Sequence, residues 1–161
     1  MPCLCERIGL EEAVVCEKTR KLLKSKASVG KVSHVIAGMD EDYIYYYNEE
    51  SFNKALEWLE NYYFSDEEDF RENTIVLWES GLMKLLFGRT MEKLSLFPDQ
   101  GKLYTDLISK RYLDDHTMTE SVQMERLHIA RCTYYMRLKE AVMLFGVIFI
   151  EEVKVFLKER D

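Results

Sequence analysis

The side chains best suited to engaging a partner lie between positions 131 and 139. Arg131 carries a planar fork of donors that matches guanine or phosphate. Thr133 has a methyl group that fits against thymine, and Lys139 is a compact charge for a phosphate. At helical spacing, Cys132, Tyr135, Met136 and Lys139 fall on one face, with Arg131 and Thr133 at its exposed start. Tyr134, Leu138, Ala141 and Phe145 recur at steps of four, three and four and form the opposite, apolar stripe. Such a helix supports non-covalent reading of a duplex, with its polar, basic first turn in the groove and its stripe anchored to the rest of the protein. Tyr135 suits two roles, stacking or hydrogen bonding on DNA, or packing on a neighbouring helix.

That helix needs a preceding one to hold it at an angle. Leu103, Leu107, Ile108 and Tyr112 share a face and predict a helix after Gly101. Asp114-Asp115-His116-Thr117 breaks it. Thr119 is a suitable cap for a short helix through Leu127, and His128-Ile129-Ala130 forms a tight turn into a long helix beginning near Arg131. The order is that of a helix-turn-helix unit.

At these residues the chain resembles a known family. Ile129-Ala130-Arg131-Cys132-Thr133-Tyr134-Tyr135-Met136-Arg137-Leu138-Lys139-Glu140-Ala141, followed by Leu144-Phe145-Gly146, is similar to the ArpU-type regulators of late genes in phages and prophages of Gram-positive bacteria. Their reading unit is similar to region 4 of bacterial sigma factors. The likeness covers residues 102–150 and implies a sigma-factor-like transcription regulator. It also implies a DNA-facing role for Lys110 and Arg111, which sit where that family has a basic, aromatic helix end. The chain departs from the family pattern at Gln123 and Met124, usually aliphatic and Ala, at His128, more often Gly, at Ala130, usually Ser, and at Met136, commonly Arg.

Upstream, Leu10, Ala13, Val14, Glu17, Lys21 and Leu22 fit a helix ending near positions 25–28. Val32 to Tyr47 is rich in β-favouring residues around Gly38-Met39-Asp40-Glu41-Asp42 and allows a short β-hairpin or an irregular loop. Asn48 can cap a helix carrying Phe52, Ala55, Leu56, Leu59, Tyr62 and Tyr63. Ser65 can start another, with Phe70, Leu77, Leu82, Leu85 and Leu86 on its apolar side and Gly88 as its stop. The expected fold is therefore mainly α. A helical N-terminal part over 1–98 is joined through Phe97-Pro98-Asp99-Gln100-Gly101 to a helix-turn-helix module over 102–161 with a long terminal helix.

The 161 residues carry a net charge of −7, which opposes nucleic-acid binding when taken as a sum. Its distribution does not. Residues 1–34 hold seven Lys/Arg against four Asp/Glu, and residues 40–72 hold twelve acids against Lys54 and Arg71. Residues 102–161 balance at ten each. The acidity sits in one block, interleaved with Tyr43, Tyr45, Tyr46, Tyr47, Trp58, Tyr62 and Tyr63. One reading of that block is a solvated face. The other is a protein-docking surface in which Glu67, Glu68, Asp69, Tyr45 and Tyr47 meet a basic partner. It supplies an alternative function, a prophage inhibitor of anti-CRISPR or anti-restriction type that binds a host nuclease such as a CRISPR effector.

No phosphate-cradling glycine loop, His-Glu-x-x-His pair, Cys-x-x-Cys pair or nucleophile elbow occurs, so no enzyme and no cofactor are expected. Cys3, Cys5, Cys16 and Cys132 lack a metal-binding spacing and read as reduced thiols of a cytoplasmic protein; no metal site is expected. His34 stands alone, and His116 reads as part of a polar turn. The longest apolar run, Ala141 to Ile150, is too short to span a membrane. Residues 142–157 are apolar on more than one side and require cover, from the N-terminal helices or from a second copy in a homodimer. The partners expected are double-stranded DNA and RNA polymerase.

Overall fold

The computed structural model describes residues 5–6, 8–28, 49–64, 82–114 and 116–160. These form an all-α arrangement of six helices: α1 (Glu12–Ser28), α2 (Glu49–Phe64), α3 (Leu82–Ser95), α4 (Gly101–Ile108), α5 (Glu120–Leu127) and α6 (Arg131–Arg160). A π-helical turn, Ser109–Leu113, continues α4. The β-hairpin considered for 32–47 lies outside the described residues, as do the docking candidates Tyr45, Tyr47, Glu67, Glu68 and Asp69.

The 30-residue α6 is the axis of the fold and touches α1, α2, α3 and α4. Val142, Phe145, Val147, Phe149, Ile150, Val153 and Phe156 are all buried, so the broad apolar surface of this helix is covered within one chain. Phe87 of α3 meets Phe145 and Phe149 edge-on at 5.1 and 5.5 Å between ring centroids. Glu152, buried on α6, is met by the ammonium of Lys93 from α3. An unpaired carboxylate there would be costly. No described helix is long and apolar enough to cross a membrane.

Three details differ from the sequence expectation. Gly88 does not stop α3, because Thr90 and Leu94 carry the buried face onward to Ser95. The chain reverses instead at 96–100, where Asp99 takes the left-handed conformation (φ 66°). The segment 97–101 is consequently a tight interhelical turn, with α3 and α4 packed on each other. A Cβ on Gly101 would lie 2.9 Å from the Leu94 carbonyl oxygen, so a side chain there would hold the helices apart. Finally, α1 buries Val15, Cys16, Thr19, Leu22 and Leu23, while Ala13 is exposed and Val14 half-buried. The inward face is set by the crossing with α6 at Gly146, where Val15 and polar Thr19 stand.

Candidate nucleic-acid interface

The helix-turn-helix is assembled from α4 with its π turn, then α5, then the first turns of α6. Thr119 caps α5 by accepting a hydrogen bond from the Val122 amide at 3.3 Å. At its other end the amides of His128 and Ile129 donate to the carbonyls of Glu125 and Met124, both at 3.3 Å. This is the Schellman arrangement, which needs a left-handed residue just past the helix. His128 supplies it (φ 55°, ψ 42°), and His is among the non-glycine residues that tolerate this region better than most. The chain then turns directly into α6, where the Tyr134 amide donates to the Ala130 carbonyl at 2.9 Å.

A buried polar lock joins the three helices. Gln123 of α5 is fully buried. Its Nε2 donates to the Leu107 carbonyl of α4 at 3.2 Å, and its Oε1 accepts from the Tyr134 hydroxyl of α6. The backbone ladder widens just beyond Leu107, where the Asp114 amide bonds the Ser109 carbonyl at 2.8 Å, five residues back. Burial, then the nearby Glu120 charge, pushes the Tyr134 phenol up to about 12, so it remains a donor. Arg126 pairs with Asp106 across α5 and α4, and Tyr104 donates to Glu140 across α4 and α6.

With Tyr134 and Leu138 turned inward, α6 presents Arg131, Cys132, Tyr135, Met136 and Lys139 to solvent, and Thr133 is half-buried. The Arg131 guanidinium lies 5.8 Å from the Tyr135 ring centroid, and the Tyr135 hydroxyl donates to Glu120 at 2.6 Å. Lys139 reaches Glu12 of α1 at 3.7 Å in an exposed pair of the kind that water screens strongly. Lys110 and Arg111 are held differently. Lys110 pairs with Asp114 at 3.1 Å, whereas Arg111 is half-buried over the Tyr112 ring at 5.5 Å, and its charge acts on the Tyr134 phenol. The structure thus gathers the α6 residues on one open strip and ties Lys110 and Arg111 into the base of the module.

Sequence reasoning missed Gln123, which holds α6 to α5 and α4, and the Asp106–Arg126 pair that holds α5 to α4. A lone Gln inside the apolar pattern of a short helix was the available signal. Cys5 and Cys16 are buried and their thiols are pushed up by desolvation, so they are poor nucleophiles. Cys132 is exposed and free. Among the described residues no cluster of His, Cys, Asp and Glu could hold a metal ion. Compared with family models, with curated proteins and with solved structures, the chain matches none.

Proposed function

We propose that this chain is a DNA-binding transcription regulator of phage or prophage type that reads duplex DNA with the N-terminal turns of α6. The observation that carries the reading is the outward strip Arg131, Cys132, Tyr135, Met136 and Lys139 on a helix locked to α5 and α4 through Gln123 and Tyr134. A groove-reading helix needs both parts, a rigid inner face and a polar, basic outer one. The likeness of residues 129–146 to ArpU-type regulators adds a class of target, late-gene promoter DNA, and suggests RNA polymerase as a second partner.

In this mechanism Arg131 forks onto a base edge or phosphate, Thr133 approaches a thymine methyl, and Lys139 exchanges its exposed pair with Glu12 for a phosphate. The work is recognition without bond chemistry. The test is titration of phage late-promoter duplexes at graded salt. Binding should weaken linearly in log–log form with salt, and Arg131→Ala should cost about 1–3 kcal/mol, roughly fivefold to 150-fold in affinity. Binding that ignores both salt and Arg131 would overturn the reading.

A further inference from the structure

Beside the reading strip, α1 and α6 enclose an open groove of about 570 Å³ lined by Ala13, Cys16, Glu17, Arg20, Lys21, Lys24, Tyr135 and Lys139. Four cations and one carboxylate line it, in a chain whose net charge is −7. Glu17 pairs with Lys21 at 3.7 Å, both strongly exposed, which leaves Arg20 and Lys24 uncompensated within the lining. Lys139 leans from α6 toward Glu12 at 3.7 Å, outside the lining. A concentration of positive charge with a single carboxylate beside it among the described lining residues is suited to a polyanion.

We propose that this groove seats the sugar–phosphate backbone of one strand of the duplex that α6 reads, so that α1 is a phosphate clamp beside the reading helix. The inference rests on the DNA-reading function above and adds a second element to the interface. Three observations favour a strand over a small ligand. The groove is open, so a small molecule in it would stay largely hydrated. Its cations are spread along a helix: Arg20 and Lys24 stand one turn apart, a rise of about 6 Å. Phosphates on one strand rise about 3.4 Å each, so the two side chains span about two of them. The groove also shares Tyr135 and Lys139 with the reading strip, so its occupant would continue directly from what Arg131 touches. Cys16 in the lining is kept protonated by burial and contributes no reactive thiolate.

The experiment uses the full chain and a mixed-sequence duplex of about three helical turns, with affinity measured over graded potassium chloride. The double variant Arg20→Gln/Lys24→Gln should lower the magnitude of the log–log salt slope by about 1.8, at about 0.9 per lost phosphate contact. Glu17→Gln should tighten binding. All three changes are on exposed side chains, and an unaltered thermal melt would show the fold intact. An unchanged slope in the double variant, with wild-type binding present, would overturn the clamp and leave reading by α6 standing. No duplex binding by wild type at any salt would remove the reading and the clamp together. Tighter binding of a single-stranded oligonucleotide with the same slope would overturn the assignment to a duplex strand.

Discussion

Gln123 illustrates how one residue can invert a sequence expectation. An inward position on a short amphipathic helix ordinarily holds an aliphatic side chain, so Gln looks like damage to its apolar interior. The structure makes it a donor to Leu107 and an acceptor for Tyr134, so each of its amide groups has a partner where water cannot supply one. Replacement by Leu would leave a buried carbonyl and a buried hydroxyl unsatisfied, at about 1–3 kcal/mol each, against a gain of only part of that from the added apolar burial. Gln123→Leu should therefore lower stability by about 2 kcal/mol and loosen α6 against α5. Urea unfolding checks it, and a more stable variant would show that the lock contributes little. His128 is a second local exception, occupying a left-handed position that glycine usually takes.

Helix–helix contact decides the next level. At the crossing of α1 and α6, a Cβ on Gly146 would stand 2.7 Å from Val15 Cγ1 and closer still to Thr19 Oγ1. Thr19 cannot easily yield, since it is fully buried and hydrogen-bonded to the Tyr63 hydroxyl at 2.9 Å. In an open helix Gly→Ala would stabilise by about 1 kcal/mol. Here overpacking, typically about 1–3 kcal/mol, outweighs that gain. Gly146→Ala should therefore melt at lower temperature than wild type; calorimetry reading a higher melting point would mean that α1 moves aside. Under the proposed clamp, such a shift would also move Arg20 and Lys24 and so change duplex affinity together with stability.

Over the whole molecule, buried phenols and thiols set the response to pH. Burial pushes Tyr62, Tyr63, Tyr104 and Tyr134 up from the ordinary phenol value of 10.0, with Tyr104 and Tyr134 reaching about 12. Burial likewise raises the Cys5 and Cys16 thiols above 9.0. For each, the folded chain holds its proton more tightly than the unfolded one. Their contribution to stability is therefore complete below the unfolded values and is lost as pH rises through the folded ones. Melting temperature should start to fall near pH 9 and drop steeply between pH 10 and 12 as the phenols follow the thiols. Tyrosinate absorbance appearing well below the unfolding transition would contradict this. The charge map is likewise a property of the whole chain, with an acidic total but a basic groove where α1 meets α6.

Periodicity made much of this legible in advance. The stripe Tyr134, Leu138, Ala141, Phe145, the Thr119 cap, the turn at 128–130 and the exposed strip from Arg131 to Lys139 are local consequences of 3.6-residue spacing, capping chemistry and the left-handed turn. The end of α3 was not legible, because a glycine signals a stop only when no further apolar contact continues the helix, and Leu94 provides one. Nor was the face of α1, since polar Thr19 is buried at a crossing that Gly146, more than a hundred residues away, permits. Local residue order determined which segments are helices and which side of α6 faces out. Packing between distant segments alone decided that α6 is covered within its own chain, that Gln123 is a lock, and that Arg20 and Lys24 stand beside Lys139, because each depends on contacts that sequence separation does not encode.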